Sequence, residues 1–174
     1  MPLMLYDSTV ATCLQLLPAI SKLIDKAEAH CRANNLPDSA LLEASLAPDM
    51  WPLTRQIQEV CLHSAGAVTG AMAGKWQRDT SPPGSDFAQL RGAVEDAIAQ
   101  LQAISPAALE AVIGKDMVFV INAEIQMKFT TENYLLSFAI PNFLFHVTTV
   151  YAILRAQGLA IGKRDFLGAV RIKA

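Results

Sequence analysis

The sequence predicts a mainly α-helical protein, a four-helix bundle with a small β-hairpin inserted before the last helix, and three observations lead there. Apolar residues recur at steps of three and four through four long stretches, the repeat of one helical face. A single short block between the third and fourth stretches switches to β-prone residues in partial alternation. Hydrophobic residues fill 52% of the 174 positions and charged ones only 17%, enough apolar material for one core at a length that suits one domain over residues 1–174.

The first helix runs from Ser8 to about Asn34 and buries Cys13, Leu17, Ile20, Ile24, Ala27 and Cys31. Pro18 lies inside it and is expected to bend or divide it, because it offers no N–H to the turn before and its ring crowds the carbonyl four residues back. A connection follows, with a short helix over Asp38–Leu46 between Pro37 and Pro48. The second helix spans Pro52–Ala73, with Asp49 as its cap and Ile57, Val60, Cys61, Val68 and Met72 on its apolar side. Gly66, Gly70 and Gly74 recur every four residues along it, a stripe that invites close approach of another backbone. The string GAMAGKW fails as a phosphate loop, being one residue short and placing Trp76 where a hydroxyl residue is required.

Residues 75–85 read as a surface loop around Pro82, Pro83 and Gly84. Asp86 and Gln89 form a capping box for the third helix, whose buried face of Phe87, Leu90, Val94, Ile98 and Leu101 ends near Ile104. Between Gly114 and Thr130, the runs Met117–Ile121 and Ile125–Phe129 predict a hairpin, which alone is marginal in water and must rest on the helices. Thr130 or Thr131 caps the fourth helix, Glu132 suits its first turn, and Gly158 ends it. The tail beyond reads as an extension over the surface.

Fourteen Lys and Arg against sixteen Asp and Glu give a net charge of −2, which argues against nucleic acid as a partner. The three cysteines, Cys13, Cys31 and Cys61, are odd in number and set in apolar contexts, so free thiols in a reducing cytoplasm are expected. Nothing near the N-terminus reads as a secretory signal. Residues 133–154 lack charge and match the roughly 20 residues needed to span a bilayer. Pro141, Asn142, His146, Thr148 and Thr149 in that stretch favour a buried helix and no membrane partner.

The fourth helix is apolar all round except for Asn142, His146 and Thr149, spaced four and three on one face. Buried polar groups need partners, so this line is expected to face a ligand, water or polar groups on a neighbouring helix. The second helix offers Gln56 and His63 at similar steps. Gln56, His63, Asn142, His146 and Thr149 are therefore the expected floor of a small-molecule pocket. His63 and His146 are the only metal candidates among them, and no third ligand presents itself, so no cofactor is assigned, a divalent metal being the one conceivable. His30 reads as a boundary residue, and Tyr134, Phe138, Phe143, Phe145 and Tyr151 as core aromatics that partly wall the pocket. No G-x-S-x-G elbow and no paired carboxylates are present.

The stretch PNFLFHVTTVYAILRAQGLAIGKRDFLG, residues 141–168, with LAPDMWPLTRQIQ, residues 46–58, resembles a family of bacterial and fungal proteins known as a domain of unknown function beside the DinB/YfiT-like superfamily. The resemblance covers nearly the whole chain and implies a four-helix bundle with a long crossover. It also implies a relationship to metal-dependent enzymes, among them transferases using low-molecular-weight thiols, and pairing into homodimers. The superfamily metal site has one His on helix two and an H-x-x-x-H pair on helix four. His146 is similar to the second His of that pair, Asn142 stands where the first belongs, and Gln56 stands at the helix-two position, with His63 two turns later. The expected function is small-molecule binding, or that of a degenerate relative of the metal-dependent transferases. The alternative is a non-catalytic dimer in which the same polar residues form a core hydrogen-bond network.

Overall fold

Hydrophobic periodicity translates into helix for most of the chain. The computed structural model describes residues 3–122 and 124–173. Helices α1 (Leu5–Ser8) and α2 (Val10–Ala33) are separated at Thr9, whose hydroxyl donates to the Leu5 carbonyl at 2.7 Å. Pro18 sits inside an undivided α2, so of the bend or division expected there the division does not occur. Burying Leu17, Ile20 and Ile24 contributes roughly 1.5–3 kcal/mol each, together more than the roughly 3 kcal/mol that an interior proline costs.

The short helix α3 covers only Ser39–Leu42. Helix α4 (Leu53–Cys61) starts after Pro52 with no side-chain cap, so Asp49 does not serve as one. A π-helical segment, Leu62–Gly66, joins it to α5 (Ala67–Ala73), which Gly74 ends in the left-handed conformation, φ 75°. Helix α6 (Phe87–Gln102) starts as expected, with the Asp86 carboxylate accepting from the Gln89 N–H at 2.7 Å. Helix α7 (Pro106–Glu110), capped by Ser105, had no sequence prediction. The last long stretch is α8 (Thr131–Tyr134), capped by Thr130, then a second π segment, Leu135–Ala139, then α9 (Ile140–Ala156). The tail adds α10 (Lys163–Leu167).

The expected hairpin is present as β2 (Asp116–Val120) and β3 (Gln126–Thr130), antiparallel, with Val118 opposite Lys128. The sheet has a third strand, β1 (Lys75–Gln77), where a loop was expected. It pairs in parallel with β2, Trp76 facing Phe119 across the ladder. Three residues carry no period, and their hydrogen bonds come from a strand about forty positions away, so nothing local announces them. The protein is thus mainly helical with a small three-stranded sheet. Helix α2 packs on α6 and α4 packs on α9, and their buried faces, with Tyr134 and Phe143, form one core.

The stretch Thr131–Ala156 is long and apolar enough to cross a membrane by length and composition. Its inner side, Tyr134, Phe143, His146, Val150 and Ile153, is nonetheless buried against other helices. Phe145, expected in the core, is 55% exposed.

The glycine stripe is filled by a side chain, not a backbone. A Cβ at Gly70 would collide with Cβ and Cγ of Trp76, which β1 holds over the helix. Gly70→Ala should therefore displace the tryptophan and destabilise the fold by roughly 1–3 kcal/mol. Gly92→Ala, in the middle of α6 with nothing within 4 Å of the added methyl, should stabilise by roughly 0.5–1 kcal/mol. Urea denaturation of the two variants beside wild type checks the opposite signs.

Candidate functional site

The chemistry gathers where α4 and the first π segment meet α9 and the sheet. Glu59 and His63 are four residues apart, so they share one side of the helix. His146 approaches from α9, and ligand atoms of Glu59, His63 and His146 all lie within 4.8 Å of one another. All three residues are buried. Glu59 thus joins the two histidines as a third residue that could hold a metal, one that the sequence did not point to.

Each ring has one nitrogen engaged. Gln56 donates from Nε2 to the Trp51 carbonyl at 3.2 Å, so its Oε1 is free to accept, and it lies 2.7 Å from His146 Nδ1. That places the His146 proton on Nδ1 and leaves the Nε2 lone pair bare. His63 Nε2 lies 3.5 Å from Glu59 Oε2 and directs its proton at the carboxylate. His63 Nδ1 is then left buried with no partner, one of two such side-chain atoms among the described residues. The other is the Tyr134 hydroxyl, shut in a neighbouring aromatic cluster with Trp76, Phe119 and Phe138.

Aromatic rings line the cluster. Trp51, His146 and His63 form a near-parallel stack, with centroid separations of 6.2 and 5.6 Å. Trp76 and Phe138 meet His63 edge-on. On the solvent side a cavity of about 200 Å³ is bounded by Trp51, Gln56, Phe145 and His146. Trp51, 45% exposed, covers the buried groups behind it.

Two arginines complete the electrostatics. Arg78 and Arg55 both pair with Glu59, Arg55 at 3.0 Å, and both guanidiniums lie over the Trp51 ring, 5.3 Å away for Arg55 and 4.9 Å for Arg78. Burial pushes the Glu59 carboxyl up, but hydrogen bonds from His63 and Arg78 and the charges of both arginines outweigh it and bring the pKa down to about 2. Burial, then the neighbouring His63, lowers His146 to about 4, so its imidazole is neutral at physiological pH.

Of the five expected floor residues, Gln56, His63 and His146 come together. Asn142 is half-buried and donates from Nδ2 to the Phe138 carbonyl at 2.8 Å. Thr149 is buried and donates to the Phe145 carbonyl at 2.8 Å. Both satisfy themselves on the preceding turn of their own helix, and among the described residues neither hydrogen-bonds a histidine. Sequence reasoning missed Glu59, Arg55, Arg78, Trp51 and Trp76. The one available signal was Glu59-x-x-x-His63, a ligand spacing on the stripe that already held Gln56. The cysteines are free, as expected, and burial pushes the Cys13 and Cys61 thiols up to about 12, where they stay protonated.

By its fold, mainly helical with a small sheet, the chain stands with the DinB-like proteins. The chain is similar to the crystal structure of a DinB family member protein from Shewanella denitrificans, with 30% identity and a TM-score of 0.81, over 98% of this chain and 95% of that one. A family model described as Domain of unknown function (DUF1993) matches residues 5–167, and the chain belongs to that family. No curated protein matches it.

The His146 pKa fixes a pH dependence for the metal-free protein. Its folded value of about 4 lies below the usual 6.5, so the unfolded chain binds the extra proton between those pH values. Stability should be unaffected by this group above pH 6.5 and fall by up to roughly 3 kcal/mol as the pH drops towards 4. Chemical denaturation across that range, with His146→Gln losing most of the slope, is the check.

Proposed function

We propose that this protein is a metal-binding member of the DinB-like class, a four-helix bundle whose polar floor presents Glu59, His63 and His146 to a divalent cation and takes a small molecule beside it. The buried, unpartnered Nδ1 of His63 carries the reading, because an orphaned acceptor is costly unless something occupies it. The donor set fits the group that the fold class implies. Two imidazoles from two helices and one carboxylate match the ligand chemistry of zinc, iron or nickel, and Gln56 orients the His146 ring through its other nitrogen. A divalent cation held by Glu59, His63 and His146 would supply Lewis acidity, the chemistry that the resemblance to thiol-dependent transferases implies.

The chain's own residues do the rest. Gln56 holds the His146 tautomer, and Trp51 and Phe145 flank the entry and exclude water. The 200 Å³ cavity admits a small group only, so Trp51 must swing aside for anything larger to reach His63. The reading keeps the protein a cytoplasmic homodimer; the exposed Leu136, Leu144 and Phe145 on one long stretch support the pairing.

A second reading has an observation of its own. Glu59 is already saturated by Arg55 and Arg78, which favours an internal hydrogen-bond network with no metal at all. Metal content separates the two. Natively purified wild type should carry about one zinc, iron or nickel per chain by inductively coupled plasma mass spectrometry, with His63→Gln and Glu59→Gln losing at least about 90% of it at unchanged circular dichroism. Metal-free wild type that also gives no d–d absorbance on adding Co²⁺ would overturn the metal reading and leave the network.

A further inference from the structure

A cavity of about 580 Å³ lies away from the histidines, between α2 and the C-terminal tail. The tail crosses α2 as a strap pinned at three points. Lys26 pairs with Asp165, Gln15 donates from Nε2 to the Leu167 carbonyl at 3.0 Å, and Arg171 donates to the Asp7 carbonyl at 3.1 Å. Gly168 makes the crossing possible, since its φ of 62° is left-handed and any Cβ would strike the Gln15 carbonyl. Beside the crossing α2 presents Ala11, Pro18 and Ala19, too short to fill the space under the strap.

The cavity has two kinds of wall. Its floor is apolar, formed by Leu14, Pro18 and Leu23. Its rim is cationic: Lys22, Lys26, Arg164 and Arg171 line it against a single acid, Asp165, which Lys26 already neutralises. Lys22, Arg164 and Arg171 have no acidic partner among the described residues, in a chain whose overall charge is −2. Local positive charge over an apolar floor, in a volume within the range of small-molecule sites, is complementary to one kind of molecule. We propose that this cavity binds an amphipathic monoanion, its hydrocarbon chain on Leu14, Pro18 and Leu23 and its acidic head at Lys22, Arg164 and Arg171.

Isothermal titration of the full chain with decanoate, below its micellar concentration, tests this. Wild type should show saturable one-site binding. Lys22→Glu with Arg164→Glu should weaken it by at least about tenfold, the cost of losing about 1.4 kcal/mol. Decanol, which lacks the charge, and inorganic phosphate, which lacks the chain, should each bind at least about tenfold more weakly than decanoate, whereas decanesulfonate, a monoanion with the same chain, should bind comparably. Ala11→Phe, which fills the space, should abolish binding with an unchanged circular dichroism spectrum. The proposal is overturned by absence of saturable binding, by equal affinity in the charge-reversed variant, by phosphate competing as well as decanoate, or by loss of binding on adding a chelator, which would move the ligand to the histidine cluster.

Discussion

A carboxylate buried to 1% exposure constrains the rest of the structure. Removing an ion from water costs several kcal/mol, and the attraction of its partners offsets that only in good geometry. Glu59 obtains it from two directions. Arg55 comes from one turn earlier on the same helix, and Arg78 arrives from just beyond β1. That second delivery depends on the sheet, because the Arg78 N–H continues the ladder onto the Val120 carbonyl. In a strand alternate residues share a face, so the geometry that aims Arg78 at Glu59 also aims Trp76 at His63 and Gly70. The hairpin that looked like an accessory is thus the support for the strand that neutralises the core.

The same ions bear on the state of the rings. Burial, then the neighbouring His63, disfavours an imidazolium at His146, and two guanidiniums against one carboxylate leave surplus positive charge nearby. A neutral ring needs its proton fixed on one nitrogen, which Gln56 does, and its other nitrogen is then available as a ligand. The surplus also opposes a dication. A metal held there would have to displace an arginine from Glu59, and the more accessible one is Arg78, which is 25% exposed and lies over the Trp51 ring, whereas Arg55 is 15% exposed and tied to Gln58.

Most of the helical fold was legible because it is local: the period of α2, the Asp86 cap and Gly74 all act within a turn or two of themselves. The hairpin was legible for the same reason, and β1 was not, since its partners are distant. The site divided along similar lines. Gln56, His63 and His146 stood out as polar residues on apolar faces, but Asn142 and Thr149 gave the same signal and spend their polarity on their own helix. Glu59 was hidden by its charge. A glutamate on a helix ordinarily faces water, and only the arrival of Arg78 from the sheet reverses that.

Both long helices that build the site depart from the α-helical repeat at it. The segments Leu62–Gly66 and Leu135–Ala139 are π-helical, each with one extra residue in a turn, and they bring His63 within 5.9 Å of Phe138. A π turn leaves backbone hydrogen bonds strained, so it persists where side-chain contacts hold it, and it is found mostly at functional sites. In the second segment the cause is also written in the sequence. Pro141 withholds an N–H from the turn before it, and Asn142 turns its side-chain amide back to the Phe138 carbonyl. In the first segment no proline intervenes, and the Ser64 hydroxyl bonds back to the Val60 carbonyl at 2.7 Å, taking part of an acceptor that the regular helix would use. The two departures face each other, so neither relaxes to a regular turn without moving His63 relative to His146, and the spacing of the two imidazoles is a property of the pair of helices.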